Sequence, residues 1–386
     1  LTTAHAQDVW DLAEEFVFDD EKRARLIKAK HLAGSGGNAN DVSLAQCIDA
    51  WLPDKIEHLA AKHARKHPRG PSFETAFGIV LHQMVPSDYA EDPERLSGLW
   101  YDQDEDGDGV DLLLDSPGTS AIVAHLAHDV PLRLSTPVVR IEYSVPSTPL
   151  AAATSSDSRV RVHDASGGVY EAKLGAIVTV PLGVLKAGGI EFVPPLPHDK
   201  QAAIDKLAMG VLDKVFLVFE RAFWDLKKAI FFNANDSGAH TCSIVVNTSY
   251  FLARGKPAAD ADAAASHPAV LQLFIGAAAA RDMERRDDHQ VLADAMAVLQ
   301  HMFGGDLPQP IGHLITRWNA EPYSLGSYSH IGVGASGDEY TVMSQPLGDE
   351  NCLMFAGEAT FTSYPATLHG AYASGRREAA RILRTL

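Results

Sequence analysis

The chain has 386 residues, with 50 acidic against 33 basic side chains and a formal net charge of −17. That balance excludes nucleic acid as the main partner, because phosphate binding needs a basic face, and it is compatible with a cationic substrate. An apolar share of 46% and a mean hydropathy of −0.07 predict a soluble globular chain long enough for two domains, with no run near the ~20 apolar residues of a membrane span.

Residues 1–66 read as helical. The opening "LTTAHAQ" has neither the charged nor the apolar region of a signal peptide. Trp10, Leu12, Phe16 and Phe18 fall near helical spacing, "GSGGN" breaks the pattern, and Asp41 or Ser43 caps a restart at "DVSLAQCIDAWL". A basic, Pro-containing loop and a further helix lead to "LWYDQDEDGDGVD". There Asp102, Asp104, Asp106 and Gly107 fit the start of a calcium loop, but Leu113 stands where a bidentate Glu is needed, so a solvated acidic turn is expected.

From residue 112 short strands and turns take over. "PGTSAIVAHLA" reads as a turn and helix, "PLRLSTPVVRIEYS" as an alternating strand, and "SSDSRVRVHDASGGVYEAKLGAIVTV" as a hairpin returning to a buried strand. "PLGVLKAGGIEFVPPLP" is a Pro/Gly-rich crossover before the helix "KQAAIDKLAMG". "VLDKVFLVFERAFW" and "AVLQLFIGAAAA" read as strands, "DDHQVLADAMAVLQHMFG" as an amphipathic helix, and "GKPAADADAAASHP" as a low-complexity loop. Cys47, Cys242 and Cys352 lack CxxC spacing and imply neither a disulfide framework nor a zinc site.

Four stretches in register, "TPVVRIEYS", "VTVPLGVLK…FVPPLP…K", "RWNAEPYSLGSYS" and "FAGEAT…YPATLHGAYASGRREAARI", resemble the flavin-dependent amine oxidases, the family of polyamine oxidases, monoamine oxidases and lysine-specific histone demethylases. The resemblance implies an α/β plus α+β fold, with a Rossmann-like FAD-binding domain interleaved with a mixed-sheet substrate domain. The expected division is 1–110 for the helical part of the substrate domain and 111–205 for part of the FAD domain. Residues 206–344 then return to the substrate domain, and 345–386 supply the C-terminal strand and helix of the FAD domain.

By the same resemblance, Gly357 and Glu358 meet the ribityl or adjacent polar part of FAD. The N–H groups of Thr367 and Leu368 open a helix whose dipole favours negative charge at the flavin edge. Val138 matches the residue beside the adenine, and Pro181 with Leu182 a turn beside the cofactor. Trp318 lines the flavin, and Tyr328 forms one wall of an aromatic cage that suits an amine. Thr367 stands where monoamine oxidases carry a second cage Tyr, and the half-open cage is more like that of polyamine oxidases and histone demethylases. Ser327 replaces the Cys that bonds FAD in monoamine oxidases, so the FAD is expected to be non-covalent. No metal is implied.

Two departures qualify this. The lysine that relatives place near flavin N5 has no clear match; His267 falls near it, with a surface loop His as the alternative reading. The family's N-terminal βαβ unit with GxGxxG and an acid ~20 residues on is not recognised in this chain. "GSGGNAND" follows a Lys-rich helix rather than a strand and is rejected. A separate polypeptide, cleaved or encoded apart, is the expected source of that unit; truncation or loss of activity are the alternatives.

The expected reaction is oxidation of a secondary or polyamine-type amine to an imine, with O2 reduced to hydrogen peroxide. Asp102, Asp104 and Glu321 are candidates for sensing substrate length. A flavin-free scaffold, an N-methyl-lysine demethylase and an amino-acid oxidase remain alternatives. The demethylase is disfavoured because the first hundred residues, broken by Gly and Pro, leave no room for a long coiled-coil arm.

Overall fold

A computed structural model describes residues 41–50, 60–61, 64–65, 72–102, 118–145, 158–233, 242, 244–254 and 269–384. The expected first helix, the acidic stretch from 103 with Asp104, the low-complexity loop and His267 lie outside the described residues. In chain order the elements begin with helices α1 (Phe73–Tyr89) and α2 (Thr119–Ala127) and strands β1 (Val138–Tyr143), β2 (Val160–Asp164), β3 (Val169–Ala172) and β4 (Ala176–Val178). Helix α3 (Leu182–Ala187), β5 (Glu191–Val193), α4 (His198–Lys206), β6 (Ala208–Met209), β7 (Leu212–Phe219), β8 (Ile230–Phe232), β9 (Ile244–Asn247) and α5 (Thr248–Arg254) follow. The chain continues through β10 (Ala269–Gly276), α6 (Ala277–Met283), α7 (Asp288–Phe303), β11 (Gly312–Ile315), β12 (Ser329–His330), α8 (Asp338–Ser344), β13 (Leu353–Phe355) and α9 (Leu368–Leu383).

One compact unit takes the described residues up to Asp102 together with Gly210–Ala320. Its centre is an antiparallel sheet of order β11-β7-β10-β9-β8. Strands β7 and β10 alternate buried and half-buried positions, as period-two sequences do when one face is covered. Val215, Leu217 and Phe219 join Leu271 and Leu273 in one core with Val291, Ala295, Val298 and Leu299 of α7. The four α7 residues recur at helical spacing, and burying each large aliphatic chain contributes roughly 1.5–3 kcal/mol. A capping box starts α7: Asp287 accepts from Gln290 N at 2.9 Å, and Asp287 N donates to the Gln290 side chain at 3.3 Å. At the other N-terminal candidate, Ser43 makes the reciprocal pair with Gln46, while Asp41 accepts from the Ser97 hydroxyl instead.

The stretch "AVLQLFIGAAAA" is not one strand. It stops at Gly276, where any side chain would meet the Pro86 carbonyl of α1, and the alanines wind into α6. Four good helix formers after a forced glycine explain the change.

The second unit takes the described residues from 118 to Met209 and from Glu321 onward. It holds a sheet of order β3-β2-β1-β5, a parallel pair β13-β4 and a short antiparallel pair β12-β6. The last division therefore falls at 320/321, not at the expected 344/345. Residues 321–344 belong here because Ser329 and His330 pair with Met209 and Ala208, and Tyr340 and Met343 of α8 share a core with Ala203 and Ile204 of α4. The alternation expected from Pro131 becomes a strand only at Val138. Helix α2 buries none of its residues, and the segment after it leaves Leu132 at 61% and Leu134 at 82% exposure. Among the described residues, no helix is long and apolar enough to cross a membrane.

Candidate active site

Glu358 is the hub of the C-terminal end of the second unit. It follows β13 and Gly357, whose φ of 132° is one that L side chains rarely adopt. Its carboxylate accepts from Ser329 N at 3.1 Å, Ser329 Oγ at 2.6 Å and Ala366 N at 2.8 Å. Burial pushes the carboxyl up, against the pull of those three donors. One side chain thus ties together the segment carrying Ser327 and Tyr328, the turn after β13, and the residue before Thr367. Ser327 and Tyr328 are half-buried there.

Thr367 is the N-cap of α9. Its Oγ accepts from Gly370 N at 2.9 Å and donates to the Tyr364 carbonyl at 2.8 Å. A β-carbon at Gly370 would overlap that same Tyr364 carbonyl, so only glycine lets the helix start so close to the preceding turn. Leu368, the first helical residue, is 71% exposed. On the next turn, the Ser374 hydroxyl receives Gly357 N at 2.9 Å.

Val138 opens β1 and packs partly buried against the core that holds Val178 and Phe355. Pro181 is the N-cap of α3, with Leu182 buried behind it. A side chain at Gly183 would run into the carbonyls of Ser324 and Leu325, which brings α3 close to the turn before Tyr328.

Trp318 belongs to the other unit, with its side chain 42% exposed. Its backbone N–H donates to Asp213 Oδ1 at 3.1 Å, and the Thr316 hydroxyl donates to the same oxygen at 2.8 Å. Asn319 N donates to Glu284 at 2.7 Å. Burial and a hydrogen bond with Glu284 push the Asp213 carboxyl up to about 7. Of the proposed length-sensing acids, Asp102 accepts from the Tyr89 hydroxyl at 3.2 Å, and Glu321 is exposed at the head of the turn to Leu325.

Sequence reasoning passed over three features. Asp213 and Glu284 are one, separated along the chain and signalled only by an acid inside an apolar strand. Lys200, quoted above only as a motif letter, is buried and donates to the carbonyls of Val342, Met343 and Gln345. The third is a literal GxGxxG, Gly332-Val333-Gly334-Ala335-Ser336-Gly337. It is no dinucleotide fingerprint. It follows the two-residue antiparallel β12 and opens a seven-residue helix, and the N–H groups of Ser336 and Gly337 donate to Glu339 at 3.0 Å each. The place an anion would take is filled by the chain's own carboxylate.

These residues fit one end of a flavin. Glu358 ties the turn after Gly357 to the segment that leads into a 16-residue helix, whose start is exposed at Leu368 and carries the positive dipole end. The phosphate-binding glycine turn is not supplied by the described residues.

Residues 74–383 match the family described as flavin containing amine oxidoreductase. The chain is 35% identical over 292 residues to lysine-specific histone demethylase 1 homolog 3 of Oryza sativa subsp. japonica, covering 75% of this chain and 33% of that protein. It is 34% identical over 292 residues to Protein FLOWERING LOCUS D of Arabidopsis thaliana, covering 75% and 34%. The chain thus spans about a third of the length of these curated relatives. Putrescine oxidase bound to putrescine has the same fold, with a TM-score of 0.64 and 18% identity over 99% of this chain and 76% of that one. A redesigned putrescine oxidase triple mutant gives 0.65 over 100% and 77%. By sequence match and by fold, the chain belongs to the flavin-containing amine oxidoreductase family.

Proposed function

We propose that this chain is the larger part of an FAD-dependent amine oxidase that converts a secondary or polyamine-type amine to an imine. The observation that carries the reading is the Glu358-anchored turn and exposed α9 start, in a chain whose residues 74–383 match the family; that this end meets the cofactor is part of the proposal. Non-covalent FAD, when bound, would supply the two-electron chemistry of the proposal, in which the amine is oxidised to the imine and O2 is reduced to hydrogen peroxide. Water then splits the imine into a carbonyl compound and a released amine.

The chain's own groups bind and orient. The N–H groups at Thr367 and Leu368 would meet the negative flavin edge, and Thr367 Oγ keeps the first turn of α9 in place. By the resemblance, Tyr328 would offer an aromatic face that attracts the amine while it is cationic, and Trp318 would do the same from its own unit. Ser327 offers no thiol for a covalent link. Gly357 and Glu358 would hold the polar part of the cofactor, and Val138 and Pro181 would meet its adenine and a neighbouring stretch, as the resemblance implies. His267 is the group nearest, by sequence, to the family's N5-side lysine.

The reading includes a partner, a second polypeptide carrying the GxGxxG unit. Its support is the apolar face of α2 and the segment after it, where Val123, Leu126, Leu132 and Leu134 are all more than half exposed. A second reading, N-methyl-lysine demethylation, is favoured by the 35% identity to a histone demethylase homolog.

The test is an absorption spectrum of the protein with added FAD, followed by anaerobic additions of putrescine, spermidine and a dimethyl-lysine histone peptide. Flavin bands retained through gel filtration and bleached by a polyamine support the oxidase. Bleaching by the peptide alone moves the reading to demethylation. A protein that stays colourless with FAD, alone and with a GxGxxG-bearing partner, overturns both.

A further inference from the structure

The carboxylates of buried Asp213 and half-buried Glu284 have an odd distribution of donors. Asp213 Oδ1 accepts from Thr316 Oγ at 2.8 Å and Trp318 N at 3.1 Å, and Glu284 accepts from Asn319 N at 2.7 Å. The other two oxygens, Asp213 Oδ2 and Glu284 Oε2, are buried and have no donor among the described residues. Asp213 and Glu284 are in side-chain hydrogen-bonding contact; two charged carboxylates in contact repel each other, and one proton between them would give both bare oxygens a partner. Among the described residues, the neighbouring cations are engaged elsewhere. Lys214, next on β7, lies over the Phe274 ring at 5.1 Å and feels Asp213 only through space. Arg317 is turned to Asp288 at 2.7 Å, and Arg285 and Arg286 pair with Asp282.

We infer that Asp213 and Glu284 share a single proton and that this acid pair is a positioning device, clamping the backbone of Trp318 and Asn319 to β7 and the end of α6. Two further hydrogen bonds support the clamp. Lys214 N donates to Thr316 Oγ at 2.8 Å and Thr316 N to the Lys214 carbonyl at 3.0 Å, so the pair closes a ring that begins at the β7-β11 edge. Losing the proton puts two negative charges in the ring, and the Trp318 segment is what gives. What Trp318 then does for an amine rests on the oxidase reading; the shared proton does not.

The experiment uses infrared difference spectra across pH and Trp318 fluorescence, isolated by subtracting the spectrum of W318F. The proposal expects a protonated-acid carbonyl band in the wild type that fades as pH rises through neutrality, with Trp318 emission shifting along the same titration. Glu358 and Asp92 are also raised and contribute bands of their own, so the band assigned is the one D213N removes. In D213N the amide donates to Glu284 Oε2, keeping the clamp without a titrating proton, and Trp318 emission becomes flat with pH. E284Q does the same from the other side and serves if D213N does not fold. No band sensitive to either variant, or emission that titrates unchanged in both, overturns the proposal. If both signatures appear and W318F oxidises amines as fast as the wild type, the pair stands and the role of Trp318 in the oxidase reading fails.

Discussion

Glu358 accepts both hydrogens that Ser329 offers, the backbone N–H at 3.1 Å and the hydroxyl at 2.6 Å. A third donor, Ala366 N, shares Oε2 with the hydroxyl. Every contact at this carboxylate is therefore donor to acceptor in one direction. In Glu358→Gln one oxygen becomes an NH2 facing an N–H, leaving a buried donor without a partner, at a cost of about 1–3 kcal/mol. Urea unfolding of the variant should show a lower midpoint with an unchanged slope, and FAD retention should fall with it.

Gly370 and Thr367 act as one device, because both contact the Tyr364 carbonyl. Gly370→Ala pushes the helix start away from the turn, an overpacking that costs roughly 1–3 kcal/mol. Thr367→Val keeps the shape but loses the cap, at about 1 kcal/mol. The double variant should cost less than the two single losses added, since the displaced helix has already lost its cap. Thermal unfolding of the three variants checks this, and strict additivity would contradict the shared contact.

Lys200 is almost completely buried, and its three ammonium hydrogens go to the carbonyls of Val342, Met343 and Gln345 at 2.7–2.9 Å, with the Phe355 ring 4.1 Å away. Of these, the Val342 carbonyl also accepts from Gln345 N at 3.2 Å, while Met343 lies in the last turn of α8, where carbonyls lack helical partners. Lys200→Met fills the volume but strands the carbonyls, so a loss on the order of 3 kcal/mol is expected in denaturant unfolding. Local amide exchange should quicken first in α8.

How much of this was legible in the sequence follows from the range of the interactions. The β7-β10 pair and α7 could be read, because alternation and helical spacing are local consequences of one covered face. The hairpin through Asp164 to Gly168 was visible for the same reason. The Asp213–Glu284 pair was not, since nothing near either residue records the other, and an acid in an apolar strand has many fates. The division at 320/321 was hidden because β12 is only two residues long. GVGASG carries the letters of a phosphate loop; only Glu339, folding back onto its N–H groups, shows that it is something else.

Asp164 and Asp213 give the protein two pH dependences of opposite sign. At Asp164, the Ser166 hydroxyl, the Tyr170 hydroxyl and the N–H of Gly168 hold the carboxyl down at about 2, below its unfolded value of 3.8. The unfolded chain binds that proton more readily, so this stabilisation is present above pH ~4 and is lost as pH falls toward 2. Asp213 lies above its unfolded value, at about 7, so the folded chain binds the proton more readily. Its contribution is full below pH ~4 and is lost as pH rises through 7. Melting temperature measured against pH in wild type and variants separates the two. Asp164→Asn should flatten the acid limb and leave the neutral limb alone, while Asp213→Asn should flatten the fall between pH ~4 and 7 and leave the acid limb alone. Because the groups sit in different units, their effects should add in the double variant, and a change of both limbs by either single substitution would contradict the assignment.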